Sequence, residues 1–372
     1  MVECIKAQKV RVLIVDDSAF SRWALSRKLD TDPEIEIIGF ANDGIEALEK
    51  IKSLKPAVIT LDLQMPRMDG LTTLRRIMSE CPTPVVIVSS LVSEEAKPTI
   101  EALELGAVDF FQKLSPSNPA GNDKSSLNLL NIVKQAAGIT GSRLKPGEVT
   151  APAEPIRKVR TIQRNSQVKK VVVIGCSTGG PRALCELIPS LPADLPAAVL
   201  IVQHMPPGFT QSLSKRLDEM SRIEVREAKD KDMLRQGLAL VAPGGFHMAL
   251  NQHREIILNR EPPVCNVRPS VDVTMMSVTS LYGVDTVGVV LTGMGSDGAR
   301  GSACIKAAGG AVLVEDASTC TVYGMPKIVA DHGDADKILP LPKLANEIVQ
   351  ICSRDQTDNN GVKKWTTRNI VT

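Results

Sequence analysis

The chain has 372 residues, 43% of them hydrophobic, which is too long for one core and apolar enough to fill two. Its 44 basic and 42 acidic side chains leave a formal net charge of +2, so no bulk electrostatic case for nucleic-acid binding arises. No apolar run approaches the roughly 20 residues of a membrane span, and the N-terminus carries no apolar segment with a small-residue cleavage site. The expectation is a soluble, cytoplasmic protein, not membrane-inserted and without a nucleic-acid partner.

Val10–Val15 (VRVLIV) has the near-continuous apolar character of a buried parallel strand and ends in Asp16-Asp17. Ser18 is placed to cap a helix running to about Leu29. Residues 58–61 (VITL) end in Asp62, residues 85–88 (VVIV) end in Ser89-Ser90, and residues 109–112 (DFFQ) deliver Lys113. Residues 126–137 read as a closing amphipathic helix. Strands alternating with helices build an open parallel sheet, whose strand carboxyl ends share one edge. Asp16, Asp17, Asp62, Ser89 and Lys113 are thereby gathered into one crevice. Carboxylates packed that closely need a cation, and Mg²⁺, a hard oxygen-seeking ion, suits them. A single acid after a strand is as often a helix cap; five functional positions in order on strand ends are not explained that way.

These residues, with the block LDLQMPRMDG at 61–70, resemble the response-regulator receiver domain of two-component signalling over roughly residues 9–138. The resemblance implies a flavodoxin-like domain in which Asp62 accepts a phosphoryl group from a partner histidine kinase. It also implies Mg²⁺ held by Asp17, Asp62 and the Gln64 carbonyl, with Asp16 acting through water, and phosphoryl oxygens bound by Ser89 and Lys113. Receivers usually follow that lysine with proline, often cis. Here Leu114 follows, and a non-proline cis bond costs roughly 3–4 kcal/mol, so a trans peptide is expected.

From Gly138 the composition shifts to Gly, Pro, Ser and Thr, with a basic run at Arg157, Lys158, Arg160 and Arg164. Without interleaved aromatics or a helix-turn-helix pattern this reads as a solvated linker over 139–168 rather than a nucleic-acid arm. The eight cysteines show no CxxC pair and read as small buried hydrophobes rather than disulfides or zinc ligands. A second α/β domain is expected over 169–352, followed by a polar tail at 353–372 containing Lys363-Lys364-Trp365.

In that second domain residues 171–174 (VVVI) run into Ser177, residues 197–202 (AAVLIV) into His204, and residues 287–291 (VGVVL) toward Asp297. A hairpin is expected at residues 246–250 and 254–259, then helices from about Ser270 and Ala299. A shared sheet edge would gather serine, histidine and acid, the residue types of acyl-transfer hydrolysis. Gly175-x-Ser177-x-Gly179 matches the nucleophile-elbow pattern, but the order Ser, His, Asp differs from that of α/β-hydrolases. The same loop is one substitution from a dinucleotide-binding G-x-G-x-x-G; the Ser177 side chain and a strand ending in His204 rather than an acid oppose that reading. Alone, His204 reads better as an ordinary hydrogen-bonded histidine, and Asp297 equally as a helix cap. Cys176, on the opposite face of the strand from Ser177, should point into packing. His247 and His332 are expected at the surface or behind the site.

The segments GCSTGGP (175–181), QHMP (203–206), APG (242–244), RPSVD (268–272), LTGMGSDG (291–298) and YGMP (323–326) together resemble the catalytic domain of the bacterial chemotaxis protein-glutamate methylesterases, over residues 169–350. A receiver fused ahead of it is that family's domain order. The resemblance implies a Rossmann-like domain with Ser177 as nucleophile, His204 as general base, Asp297 as orienting acid, and backbone N–H groups of Thr178 and Met294 as oxyanion hole. It implies chemoreceptor glutamate methyl esters as substrate, deamidation of receptor glutamines as a second activity, and no cofactor for acyl transfer. The overall expectation is two doubly wound parallel-sheet α/β domains, the receiver covering the Ser177 cleft until Asp62 is phosphorylated.

Overall fold

A computed structural model describes residues 9–89, 93–113, 123–139 and 168–354. Leu114, the basic run, nearly all of the expected linker and nearly all of the tail lie outside these described residues. The first unit is β1 (Val10–Val15), α1 (Ala19–Leu29), β2 (Ile35–Ala41), α2 (Gly44–Leu54), β3 (Val58–Asp62), α3 (Gly70–Glu80), β4 (Val85–Ser89), α4 (Ser93–Glu104), β5 (Asp109–Gln112) and α5 (Asp123–Ala137). Its five strands pair in parallel in the order β2-β1-β3-β4-β5. The order reverses at β1 and β3, so a crevice opens where these strands deliver Asp16, Asp17 and Asp62.

The second unit runs β6 (Lys170–Cys176), α6 (Gly180–Leu187), β7 (Ala197–Gln203), α7 (Phe209–Met220), β8 (Glu224–Glu227), β9 (Leu238–Val241), β10 (His247–Leu250), β11 (Ile256–Asn259), α8 (Val271–Tyr282), β12 (Thr286–Val290), α9 (Ala299–Ala307), β13 (Ala311–Glu315), α10 (Met325–Asp331), β14 (Lys337–Leu339) and α11 (Leu341–Ser353). Seven strands form a parallel sheet in the order β14-β13-β12-β6-β7-β9-β8, with β10 and β11 as a separate antiparallel hairpin. β6 is apolar on both faces because both are covered: Val172, Ile174 and Cys176 join one core, Val171 and Val173 the other. The chain winds outward from β6 through β7, then returns to lay β12 on the opposite flank, so the switch point falls between β6 and β12.

The two units touch directly. Helix α4 lies against α6 and α7, and Phe110 stacks on Phe209 with ring centroids 4.6 Å apart. Arg216 Nε and Nη2 donate to Glu104 Oε1 and Oε2 at 2.7 and 3.0 Å, a planar two-pronged pair. The Thr178 hydroxyl donates to Asp109 Oδ2 across the same seam. None of these contacts has a signal in the sequence.

Of the two places expected for His247, the surface is excluded: it is fully buried, with Nε2 3.2 Å from the Pro262 carbonyl oxygen, because β10 lays it under the loop that follows β11. His332 is exposed, as expected.

Glycine at 175 is required by close approach. A Cβ there would lie 2.4 Å from Val271 Cγ1, so any side chain pushes α8 off β6. Gly175→Ala should therefore lower unfolding stability by about 1–3 kcal/mol, measured by denaturant titration; a variant as stable as the parent would show that this contact does not constrain the two elements.

Candidate active site

Ser177, His204 and Asp297 follow the neighbouring strands β6, β7 and β12. The Ser177 turn is fixed by backbone bonds: its N–H donates to Thr292 O at 3.0 Å and its carbonyl accepts from Gly180 N–H at 2.7 Å. His204 N–H donates to Cys176 O at 3.1 Å, and the Gln203 amide Nε2 donates to both Ser177 O and His204 O at 3.0 Å. Serine and histidine loops are thus held by their main chains before their side chains meet.

His204 Nε2 lies 2.7 Å from Asp297 Oδ2. With Nε2–H donating to the carboxylate, Nδ1 carries the lone pair that can take a proton. Asp297 is 2% exposed. Its Oδ1 accepts from Ser270 Oγ at 2.8 Å and Asp272 N–H at 3.0 Å, and its Oδ2 also accepts from Val271 N–H at 2.6 Å. Two of those donors are the first amides of α8, where the helix dipole favours an anion. Burial alone would raise its pKa, but His204 and these N–H donors hold it below the ordinary carboxylate range. Asp297 is not a helix cap: Gly298 occupies the α9 cap position, with no side-chain cap bond.

No hydrogen bond joins the Ser177 hydroxyl to His204 among the described residues. Such bonds are often long in the absence of substrate and tighten when it binds. The N–H groups of Thr178 and Met294 likewise donate to no acceptor among the described residues, and Met294 is 38% exposed at the cleft. They are available to a developing oxyanion. Cys176 is fully buried and its thiol is pushed well above its usual range by that burial, so it is no rival nucleophile. Cys265, Asp272 and Asp297 offer ligand atoms within 4.8 Å of one another. The Asp297 oxygens already accept four bonds, however, which leaves no free lone pair for a metal there.

In the first unit the carboxylates of Asp16, Asp17 and Asp62 also come within 4.8 Å of one another. Lys113 Nζ donates to Asp62 Oδ2 at 2.5 Å and lies 3.2 Å from Asp16 Oδ2. Burial pushes the Asp62 carboxyl up to about 6, against the opposing pull of Lys113. Asp16 Oδ2 is buried with the Lys113 ammonium beside it, and the all-oxygen donor set of the three carboxylates fits Mg²⁺. Ser89 is buried at the end of β4, accepting from Thr99 Oγ1 at 2.9 Å. Gln64 contributes its N–H to Asp62 Oδ1 at 3.2 Å.

Residues 172–348 match the CheB methylesterase family and residues 12–119 the response regulator receiver domain family. A protein-glutamate methylesterase/protein-glutamine glutaminase of Symbiobacterium thermophilum is 50% identical over 349 residues, covering 92% of this chain and 96% of the relative. One of the same description from Thermotoga maritima is 43% identical, covering 92% and 98%. The crystal structure of the Thermotoga maritima CheB methylesterase catalytic domain aligns at 45% identity over 49% of this chain and 98% of its own, with a TM-score of 0.48. The chain belongs to the CheB methylesterase family.

Gln203, Ser270, Asp272 and Thr292 lie within the segments that carried the resemblance but their positioning roles were not read there, and Glu315 was not singled out at all. Asp272 Oδ1 accepts from Gly298 and Gly301 N–H at 2.9 and 2.8 Å, fixing the turn after Asp297. The signal that Glu315 offered was an acid closing an apolar strand. A fluorophosphonate probe should label Ser177 as the sole covalent site, with labelling lost in Ser177→Ala and retained in Cys176→Ala. Labelling that survives Ser177→Ala in a folded protein would put the nucleophile elsewhere.

Proposed function

We propose that this chain is a receiver-gated serine hydrolase that demethylates glutamate methyl esters on chemoreceptors and deamidates receptor glutamines. The receiver would occupy 1–138 and the catalytic unit 169–352. The observation that carries the reading is the His204–Asp297 pair, on the strand ends that flank Ser177 on either side. Ser177 Oγ attacks the ester carbonyl as its proton passes to His204 Nδ1. Asp297 stabilises the imidazolium, and Thr178 and Met294 N–H groups receive the oxyanion. Collapse expels methoxide, which leaves as methanol with the His204 proton. Water, deprotonated by His204, then attacks the acyl-enzyme and releases glutamate. A glutamine substrate follows the same course with ammonia leaving.

The gate is the receiver. Asp62 accepts a phosphoryl group from the chemotaxis histidine kinase, with Asp16, Asp17, Asp62 and the Gln64 carbonyl holding Mg²⁺ directly or through water. That ion neutralises phosphoryl charge when bound. Ser89 and Lys113 bind the phosphoryl oxygens. In the unphosphorylated chain Asp109 grips the Thr178 hydroxyl one residue from Ser177, while Phe110 and Glu104 anchor to Phe209 and Arg216. This support for closure comes from contacts on the receiver's β5 and α4.

The direct test is methanol release from receptors methylated in vitro, with and without a small phosphoryl donor. Ser177→Ala should lose at least about 10³-fold in turnover, and Asp297→Asn up to roughly 10⁴-fold through the wrong imidazole tautomer. Additive losses in a His204→Ala, Ser177→Ala double variant would argue against a common proton-transfer unit. Arg216→Glu and Glu104→Arg should each raise unphosphorylated activity roughly 5-fold or more, and the double charge swap should restore inhibition. Unchanged basal rates in both single variants would remove this pair from the gate.

Closure should also depend on pH. Burial at the seam pushes the Asp109 carboxyl up to about 6, against the Thr178 hydroxyl and the Phe110 N–H. A separated receiver returns this group toward roughly 3.9, so the closed state binds the proton more tightly. Closure is therefore fully favoured below about 4 and loses that support as pH rises through about 6. Asp109→Asn cannot titrate, and any effect of His204 cancels in a ratio of rates. Parent-to-Asp109→Asn labelling rates should fall as pH is lowered from about 7 to 5; a flat ratio would exclude Asp109 from closure.

A further inference from the structure

Glu315 is fully buried at the carboxyl end of β13, where Ala311–Glu315 (AVLVE) is otherwise apolar. A hydrophobic residue of similar size would fill that position without the cost of desolvating a carboxyl group. What the carboxyl adds is an acceptor: Oε2 takes the Thr292 N–H at 2.8 Å, and the neighbouring Thr319 and Cys320 side chains also favour its ionised form. Thr292 in turn is bonded to both parts of the catalytic loop system. Its carbonyl accepts from Ser177 N–H at 3.0 Å, and its hydroxyl donates to Thr178 O at 2.9 Å while accepting from Val322 N–H at 2.9 Å. Two residues further on, the same loop presents Met294.

Behind this junction lies a cavity of about 440 Å³, lined by Gly179, Arg182, Glu186, Thr292, Glu315 and Thr319 among others. Thr292, 1% exposed, lines this space beside Glu315, whose carboxyl accepts its backbone N–H. We infer that Glu315 is a positioning residue for hydrolysis: through Thr292 it sets the Ser177 backbone and both N–H donors of the oxyanion hole against each other. It touches no substrate atom. Burial pushes its carboxyl above the ordinary range, and the task requires only an acceptor oxygen, which a neutral side chain supplies equally.

This inference rests on Ser177 as nucleophile, so Ser177→Ala is run in the same assays: activity surviving there would overturn the site itself, whatever Glu315 does. With the full chain phosphorylated, kcat and KM for methanol release from methylated receptors and the rate of fluorophosphonate labelling are measured for three variants. Glu315→Ala removes the acceptor; Glu315→Met removes it while filling the volume, and serves if the alanine variant fails to fold; Glu315→Gln keeps it. The expected result is a fall in kcat of roughly 10- to 100-fold at unchanged KM in the alanine and methionine variants, a matching fall in labelling, and recovery to within about 3-fold of the parent in Glu315→Gln. Glu315→Met with parental kcat, a loss confined to KM, or a glutamine variant as impaired as the methionine one would each overturn the assignment.

Discussion

The catalytic unit depends on how one buried carboxylate is neutralised. Asp297 could not sit 2% exposed with its charge unless donors surrounded it, and they come from three places: the imidazole after β7, the first amides of α8 and the Ser270 hydroxyl that caps that helix. That arrangement requires α8 to press onto β6, which is possible only because residue 175 lacks a side chain. Once α8 is seated, the anion is fixed, and the anion fixes His204 in one tautomer. The His204 main chain is already bonded to Cys176 beside Ser177. Sheet packing, helix dipole and imidazole orientation are therefore one interaction seen at three scales.

The parts of this arrangement legible in the sequence are those written along single strands. VVVI before Ser177, AAVLIV before His204 and VGVVL before Asp297 announce buried parallel strands, and a parallel sheet brings their ends together whatever the helices do. The acid crevice at Asp16, Asp17 and Asp62 follows from the same logic. Unreadable were the residues whose role is set by a partner far along the chain. Glu104 and Arg216 are surface-type charges on separate helices, and only the docking of two sheets makes them a pair. Whether His247 lies at the surface or inside was not readable, because a four-residue strand shows too little periodicity to say which face is covered. Glu315 was not singled out, because an acid after a buried strand has several uses and the donor it satisfies lies 23 residues earlier.

The proposed gate places unusual demands on β5. This strand of four residues carries Asp109 at one end, against Thr178, and leads into Lys113 at the other, against Asp62. At about 3.3 Å per residue the two ends are on the order of 13 Å apart. Lys113 N–H is also bonded to Ser89 O at 2.7 Å, so hydroxyl and ammonium approach the acid pocket as one piece. A phosphoryl group recruiting both would displace the strand that holds the seam closed, and the displacement has little slack in which to dissipate.

Such a gate must also be weak enough to open. Charge changes in a signalling domain supply only about 1–3 kcal/mol of coupling, and an all-apolar seam built on contacts like the Phe110–Phe209 stack would exceed that. Asp109 works against tight closure because its carboxyl is raised to about 6 by the burial that closure imposes, so near neutral pH the closed state holds an anion it would rather protonate. Its bond from Thr178 returns part of that cost and supplies direction. Polar groups at this seam thus limit the affinity of one domain for the other while fixing where it docks, a combination that an oily interface of the same area could not provide.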